Sequence, residues 1–353
     1  RTRMLFHTRN SGAARVSAIA ALAVSVALVA TACSGGSTGG SGGGGEGGGG
    51  DVTVTFLPKN LGNPYFDTSS KGGKAAVEEF GGTFQEVGPS EATPDAQVSY
   101  INTATQQAVS ALVVSANDPK AICDALNEAR DADVKVVTFD SDTNTDCRDI
   151  FINQASAEGI AKAQVDLITE QIGDSGEIAI LSAAANATNQ NAWIELMKED
   201  LAANHPNVKL VDTVYGDDDD QTSFDKTAAL LQSHPNLKGI VSPTTVGIAA
   251  AARYLQTSEY KGKVSLTGLG TPNQMRDFVE DGTVTAFALW NPEELGYLAA
   301  FAADALVKGD ITGKSGDKFD AGDLGSFEVG EDGVVLLGDP TVFNKENIGD
   351  FDF

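Results

Sequence analysis

From Asp51 onward the chain alternates two patterns. Short runs rich in Val, Ile, Phe and Thr are followed by longer stretches whose apolar residues recur every three or four positions. The first pattern reads as buried strand and the second as amphipathic helix. Strands are predicted at 52–58, 83–88, 111–116, 134–140, 177–183, 209–216, 239–243, 264–270 and 284–290. Helices are predicted between them, at 66–80, 96–107, 119–132, 157–172, 191–203, 223–232, 247–255, 272–280 and 295–307. Strands that are apolar almost throughout, alternating regularly with helices, imply parallel sheets covered on both faces.

That is more strand than one doubly wound sheet of this size holds comfortably, so two α/β domains are expected. The stretch "INQASAEG" (152–159) interrupts the rhythm after the fourth clear unit and marks a first crossing between domains. A return near 286–290 would put the 295–307 helix back on the first domain, and the closing segment reads as a hairpin and tail with a third crossing. The expected first domain is 51–153 plus about 288–322, and the second is 154–287 plus about 323–353.

Open α/β sheets bind ligands outside the carboxyl ends of their strands. Those ends carry a recurring chemistry here. Lys59, Asn63, Tyr65 and Phe66 follow the first strand, and Asn117 and Asp118 follow "ALVVSA". Asp140 ends "VVTF", and Asn189, Gln190 and Trp193 follow "EIAILSA". Pro243, Thr244 and Thr245 follow "GIVS", and Trp290 and Asn291 sit at the second crossing. Each has a structural alternative. Asp118 and Asn189 also suit helix N-caps; Phe66, Trp193 and Trp290 also suit core or interface packing. Asp140 ends a strongly apolar strand, where a carboxylate is costly unless paired, and Lys59 is an available partner.

The N-terminus changes the picture of where the protein works. Four arginines lead into the apolar run 16–30, too short for a comfortable membrane span, and "LVATAC" then ends at Cys33. This resembles the lipobox of bacterial lipoproteins, with Cys33 lipidated; ordinary cleavage near Ala32 is the alternative. The Gly/Ser tract 34–50 reads as a flexible tether. Residues 1–33 are therefore expected to be a lipoprotein signal peptide, and the product an exported protein anchored on the outer face of the cytoplasmic membrane.

Without the four leader arginines, 20 basic residues face 49 acidic ones, a net charge of −29. Nucleic acid is an unsuitable partner for such a surface. "GDDDDQ" (216–221) lacks the spacing of a calcium loop and reads as solvated surface. In an exported chain the two remaining cysteines, Cys123 and Cys147, read as a disulfide. Neither they nor His205 and His234 have metal-ligand spacing. No nucleophile, phosphate-loop or dinucleotide motif occurs, so no cofactor, metal or catalytic set is expected. Asp118 and Asp140 are the one carboxylate pair that would suit glycoside chemistry.

From "VTVTFLPKNLGNPYF" to "VFNKENIGDFDF" the body resembles the periplasmic sugar-binding proteins of bacterial ABC importers. Within them, "VVSANDP", "TFDSDT", "ATNQNAWI", "SPTTVGIAAAA", "TGLGTPNQM" and "FALWNPEELGY" are most similar to the rhamnose-binding and autoinducer-2-binding branch. The resemblance implies two Rossmann-like doubly wound domains closing on a ligand about a multi-strand hinge, the type I periplasmic binding protein fold. It implies that Lys59, Asp140, Asn189, Gln190, Pro243 and Thr245 match ligand contacts of autoinducer-2 receptors. Asn63, Tyr65, Asp118 and Trp290 match contacts of the wider pentose and hexose binders. Asn189 and Thr245 depart from the autoinducer-2 pattern, which usually has Asp and Ala there, and are similar to rhamnose binders instead. The expectation is a monomeric solute-binding lipoprotein that delivers a neutral sugar, foremost rhamnose, to its permease. An autoinducer-2 receptor is the alternative, and a carbohydrate-active enzyme a distant one.

Overall fold

The computed structural model describes residues 51–353; the leader, Cys33 and the 34–50 tether lie outside the described residues. In the first lobe, β1 (Thr53–Leu57) is buried on both faces and pairs in parallel with β2 (Thr83–Glu86) and β3 (Ala111–Val114). Next to β3 come β4 (Lys135–Phe139) and β5 (Ile150–Asn153), also parallel. The helices α1 (Pro64–Glu79), α2 (Val98–Gln106) and α3 (Cys123–Asp131) connect them. Because β1 lies between β2 and β3, successive crossovers leave it in opposite directions. A crevice opens at such a reversal, at the carboxyl ends of β1 and β3.

The second lobe repeats the plan. Its sheet runs β7 (Val208–Tyr215), β6 (Gly176–Ser182), β8 (Leu237–Ser242), β9 (Ser265–Gly268), all parallel, with the reversal between β6 and β8. Helices α4 (Ala157–Ile172), α5 (Thr188–Asn204), α6 (Asp220–Ser233), α7 (Thr245–Thr257) and α8 (Pro272–Glu280) accompany it. The predicted class, two doubly wound parallel-sheet lobes, is the class observed.

One element and one boundary differ from the sequence reading. Residues 150–153, at the end of the expected first domain, are a fifth strand of its sheet that the sequence reading did not contain. The strand is short, only alternate positions are fully buried, and polar residues precede it, so its hydrophobic signal is weak. The return to the second lobe also comes later than residue 323. After β10 (Ala286–Leu289) the chain forms α9 (Pro292–Lys308) and a hairpin of β11 (Lys318–Asp320) and β12 (Ser326–Glu328). It then adds β13 (Val334–Leu336) to the first sheet beside β5. Only afterwards does β14 (Thr341–Asn344) pair antiparallel with β10. A three-residue strand between glycine-rich turns offers little periodicity to read.

Helix α9 returns to the first lobe and lies against α1. Each helix starts the same way, with an Asn cap (Asn63, Asn291) followed by Pro at the first helical position. Their backbones approach so closely that a Cβ on Gly72 would overlap the Glu293 carbonyl, and one on Gly296 the Ser69 carbonyl. The first turns of both helices are thereby fixed beside the cleft. Cys123 and Cys147 are joined by a disulfide that ties the start of α3 to the turn before β5.

Two outcomes are expected. Gly296→Ala should lower the urea midpoint by an overpacking cost of about 1–3 kcal/mol; an unchanged midpoint would show that the helices separate freely. Cys123→Ser with Cys147→Ser should cost roughly 3 kcal/mol in the chain-entropy treatment of a cross-link. The check is equilibrium unfolding of oxidised wild type against the double variant, and equal stability would remove the bridge as a contributor.

Candidate functional site

The two crevices face each other and form one cleft. The first lobe contributes Lys59 after β1, Asn63, Tyr65 and Phe66 at the start of α1, and Asp140 at the end of β4. The second contributes Gln190 and Trp193 on α5, Asp218 after β7, Pro243, Thr244 and Thr245 after β8, and Leu269 after β9. Leu289 and Trp290 close the hinge side.

Asp140 is the best-held group of the cleft. The strand turns sharply there, with φ of +60° at Asp140, a left-handed conformation that Asp tolerates better than most residues. Its Oδ2 accepts from the Ser115 hydroxyl at 2.7 Å, and its Oδ1 from the Tyr65 hydroxyl at 3.1 Å. Tyr65 in turn accepts from the Trp290 indole N–H at 2.8 Å. A chain of hydrogen bonds therefore runs from the hinge, through α1, to the end of β4. Burial raises the pKa of Asp140, while the Lys59 charge and the two hydroxyls oppose that rise. Burial, then the Asp140 charge, pushes the Tyr65 phenol well above its ordinary value, so it stays a donor to the carboxylate.

Lys59 does not pair with Asp140 as the sequence suggested. At 3% exposure it is out of bulk water, and it reaches across the cleft instead. Its ammonium donates to Asn189 Oδ1 at 2.9 Å and Gln190 Oε1 at 3.4 Å. The Asn189 amide nitrogen completes the exchange by donating to the Asp140 backbone carbonyl at 3.4 Å. Asn186 does the same one strand over, donating to the Asn117 carbonyl at 3.2 Å. The amides at the start of α5 thus grip the ends of β1, β3 and β4.

Aromatic rings line the floor. Tyr65 meets Phe66 and Trp290 edge-on, with centroids 5.1 and 6.2 Å apart, and Trp290 meets Trp193 at 6.0 Å. Rings from both lobes and the hinge therefore form one continuous surface, with Leu269 and Leu289 beside it.

Of the residues singled out in the sequence, the cleft brings together Lys59, Asn63, Tyr65, Phe66, Asp140, Gln190, Trp193, Pro243, Thr244, Thr245 and Trp290. Asn189 stands at its edge through its bonds to Lys59 and Asp140. Asp118 is not in it: its Oδ1 accepts from the backbone N–H groups of Lys120 and Ala121, at 2.8 and 2.9 Å, and caps its own turn. The Asp118–Asp140 pair required for glycoside chemistry is therefore not assembled. Sequence reasoning missed Asp218, Leu269 and Leu289. The acidic run was taken whole as solvated surface, yet Asp218 follows the end of β7 and bonds the Thr244 hydroxyl. The rule that found the other groups, reading the residues after each strand, would have found Asp218; Leu269 and Leu289 fall inside the strands predicted at 264–270 and 284–290.

Comparison with known proteins agrees with this architecture. Residues 54–311 match the family model described as a periplasmic binding protein domain. Among solved structures, a sugar ABC transporter from Actinomyces odontolyticus ATCC 17982 is 55% identical, with 85% of this chain and 97% of that one covered and a TM-score of 0.70. An ABC transporter solute binding protein from Clostridium phytofermentas with bound L-rhamnose is 40% identical, covering 85% and 98%, with a TM-score of 0.82. LsrB from Clostridium saccharobutylicum in complex with AI-2 is 28% identical, covering 86% and 100%, with a TM-score of 0.81. With a cleft at paired topological reversals and a family model spanning most of both lobes, the chain belongs to the periplasmic binding protein family.

Proposed function

We propose that this chain is the extracytoplasmic solute-binding protein of a sugar ABC importer. It captures a neutral sugar, L-rhamnose foremost, between its lobes and hands it to membrane permease subunits while a lipid on Cys33 holds it to the outer face of the cytoplasmic membrane. The observation that carries this reading is the make-up of the cleft wall. Carboxylates, amides and hydroxyls line it, where they suit the hydroxyls of a sugar. Tyr65, Phe66, Trp193 and Trp290 stand among them, where rings suit its C–H face. Leu269 and Leu289 add an aliphatic patch suited to the methyl group of a deoxy sugar. The likeness to the L-rhamnose-bound protein of C. phytofermentas supports the choice of ligand.

A second reading, reception of autoinducer-2, is favoured by the likeness to LsrB in complex with AI-2 and by Lys59, Asp140, Gln190 and Pro243, which the sequence resemblance matches to contacts of autoinducer-2 receptors. The two part at Asn189 and Thr245. Asn189 uses both ends of its amide, accepting from Lys59 and donating to the Asp140 carbonyl. An ionised aspartate there has no donor and would set a second negative oxygen against that carbonyl.

Titration calorimetry with L-rhamnose, other deoxy sugars, pentoses and autoinducer-2 tests the assignment. Wild type should prefer rhamnose, and tight binding of autoinducer-2 with none of rhamnose would overturn it. Asn189→Asp should weaken rhamnose by about 1–3 kcal/mol, the penalty of a mispaired buried polar group, and narrow the preference over autoinducer-2. Unchanged rhamnose affinity would make Asn189 a latch between lobes with no part in recognition. Asp140→Ala should abolish measurable binding while leaving the fold intact, since each charge-assisted hydrogen bond typically carries ~1.5–3 kcal/mol. Binding within a few-fold of wild type, or loss of the fold, would make Asp140 structural.

A further inference from the structure

The four aspartates 217–220 do four different things. Asp220 forms a two-pronged pair with Arg253 at 2.7 and 2.8 Å. Asp219 caps α6 by accepting from the Thr222 N–H at 2.7 Å. Asp217 is exposed. Asp218 alone of the four turns into the cleft, where the Thr244 hydroxyl holds one of its oxygens. The turn is built for that direction. Gly216 N–H bonds the Ser182 carbonyl at 2.9 Å and Asp217 N–H the Ala183 carbonyl at 3.2 Å, which pins the turn to the end of β6. Asp217 and Asp218 then both take left-handed backbone, at φ of +55° and +51°. Two consecutive non-glycine residues in that region are uncommon, and such conformations cluster where a side chain must be aimed.

Charge in the cleft is unbalanced as a result. Its lining holds Asp140, Asp218 and Lys59, and no other charged side chain. Lys59 is engaged by the neutral oxygens of Asn189 and Gln190, and Asp218 makes no ion pair among the described residues. We propose that Asp218 contacts the ligand from the second lobe, accepting a hydroxyl hydrogen opposite Asp140, and sets the selectivity of the cleft for neutral over anionic sugars. The proposal rests on the sugar-binding reading above. An acid derived from the sugar would bring a carboxylate into a space where two already face one ammonium, with little water to screen them. A neutral sugar supplies hydroxyl donors to both carboxylates at once. Desolvation raises the pKa of Asp218; the Lys59 charge and the Thr244 hydroxyl oppose that rise, and the charges of Asp140 and Asp217 add smaller contributions to it.

The test is calorimetric titration of L-rhamnose and its aldonate, L-rhamnonate, into wild type, Asp218→Asn, Asp217→Asn and Thr244→Val. If wild type selects a different neutral sugar from the panel, that sugar and its aldonate replace the pair. Asp218→Asn should weaken the neutral sugar 10- to 100-fold and shrink its preference over the acid at least tenfold. Asp217→Asn makes the same charge change on the exposed side of the turn and should leave both affinities within twofold. Thr244→Val should shift them in the same direction as Asp218→Asn, but less, because it frees the carboxylate without removing it. Circular dichroism melting of each variant separates lost contact from lost fold. Wild-type affinities and selectivity in a folded Asp218→Asn, or equal shifts in Asp217→Asn, would overturn the proposal while leaving the sugar-binding reading intact. A wild type that binds no sugar overturns both.

Discussion

Asp140 ends β4 as a carboxylate at 5% exposure whose oxygens are both taken by hydroxyls, Tyr65 on one and Ser115 on the other. A buried charge without a paired cation is stable only when its lone pairs are satisfied. That requirement fixes much of what surrounds it. Tyr65 must stand at the first turn of α1 with its hydroxyl aimed at β4, and Trp290 must bring its indole N–H to the far side of that hydroxyl. The start of α1, the second crossing of the hinge and the end of β4 are positioned by a single series of hydrogen bonds. Lys59 acts on Asp140 through its field and spends its hydrogen bonds on the opposite lobe.

Helix packing supplies the second constraint. Gly72 and Gly296 let α1 and α9 approach to backbone contact, so the two helices behave as one block. Tyr65 opens the first of these helices, and Trp290 lies just before the second, ahead of its Asn291 cap. Both ends of the Tyr65–Trp290 bond are therefore carried by the same rigid unit. Across the cleft, the amides of Asn186, just before α5, and of Asn189 and Gln190 at its start bond groups of the first lobe. Such hydrogen bonds replace bonds to water, so each contributes little net free energy to holding the lobes together.

Much of this was legible in the chain. Regular alternation of apolar runs with helical periodicity gave both sheets, because parallel strands buried on two faces have a strong one-dimensional signal. Reading the residues after each strand found Lys59, Asp140, Gln190 and the Pro243–Thr245 group, since topology alone sends strand ends to the crevice. The failures have physical causes. Strands β5 and β13 are too short to show a period, and their burial comes from neighbours distant in sequence. Asp118 has the composition of a ligand contact and the geometry of a cap, and only the direction of its side chain separates the two. Asp218 was hidden inside a run of identical residues, where composition says surface and two left-handed backbone angles say otherwise. Lys59 was expected to pair within its own lobe because pairing across a gap between domains is not written in either segment.

The chain has two tryptophans, Trp193 and Trp290, and both line the cleft with their rings in edge contact. One belongs to the second lobe and the other to the hinge, and the Trp290 nitrogen is bonded to Tyr65 of the first. No indole elsewhere contributes a background signal. The tryptophan emission of this protein, excited selectively over its six tyrosines, is therefore an optical record of one place in the molecule, where a change of occupant, of local polarity or of the spacing between lobes reaches both indoles.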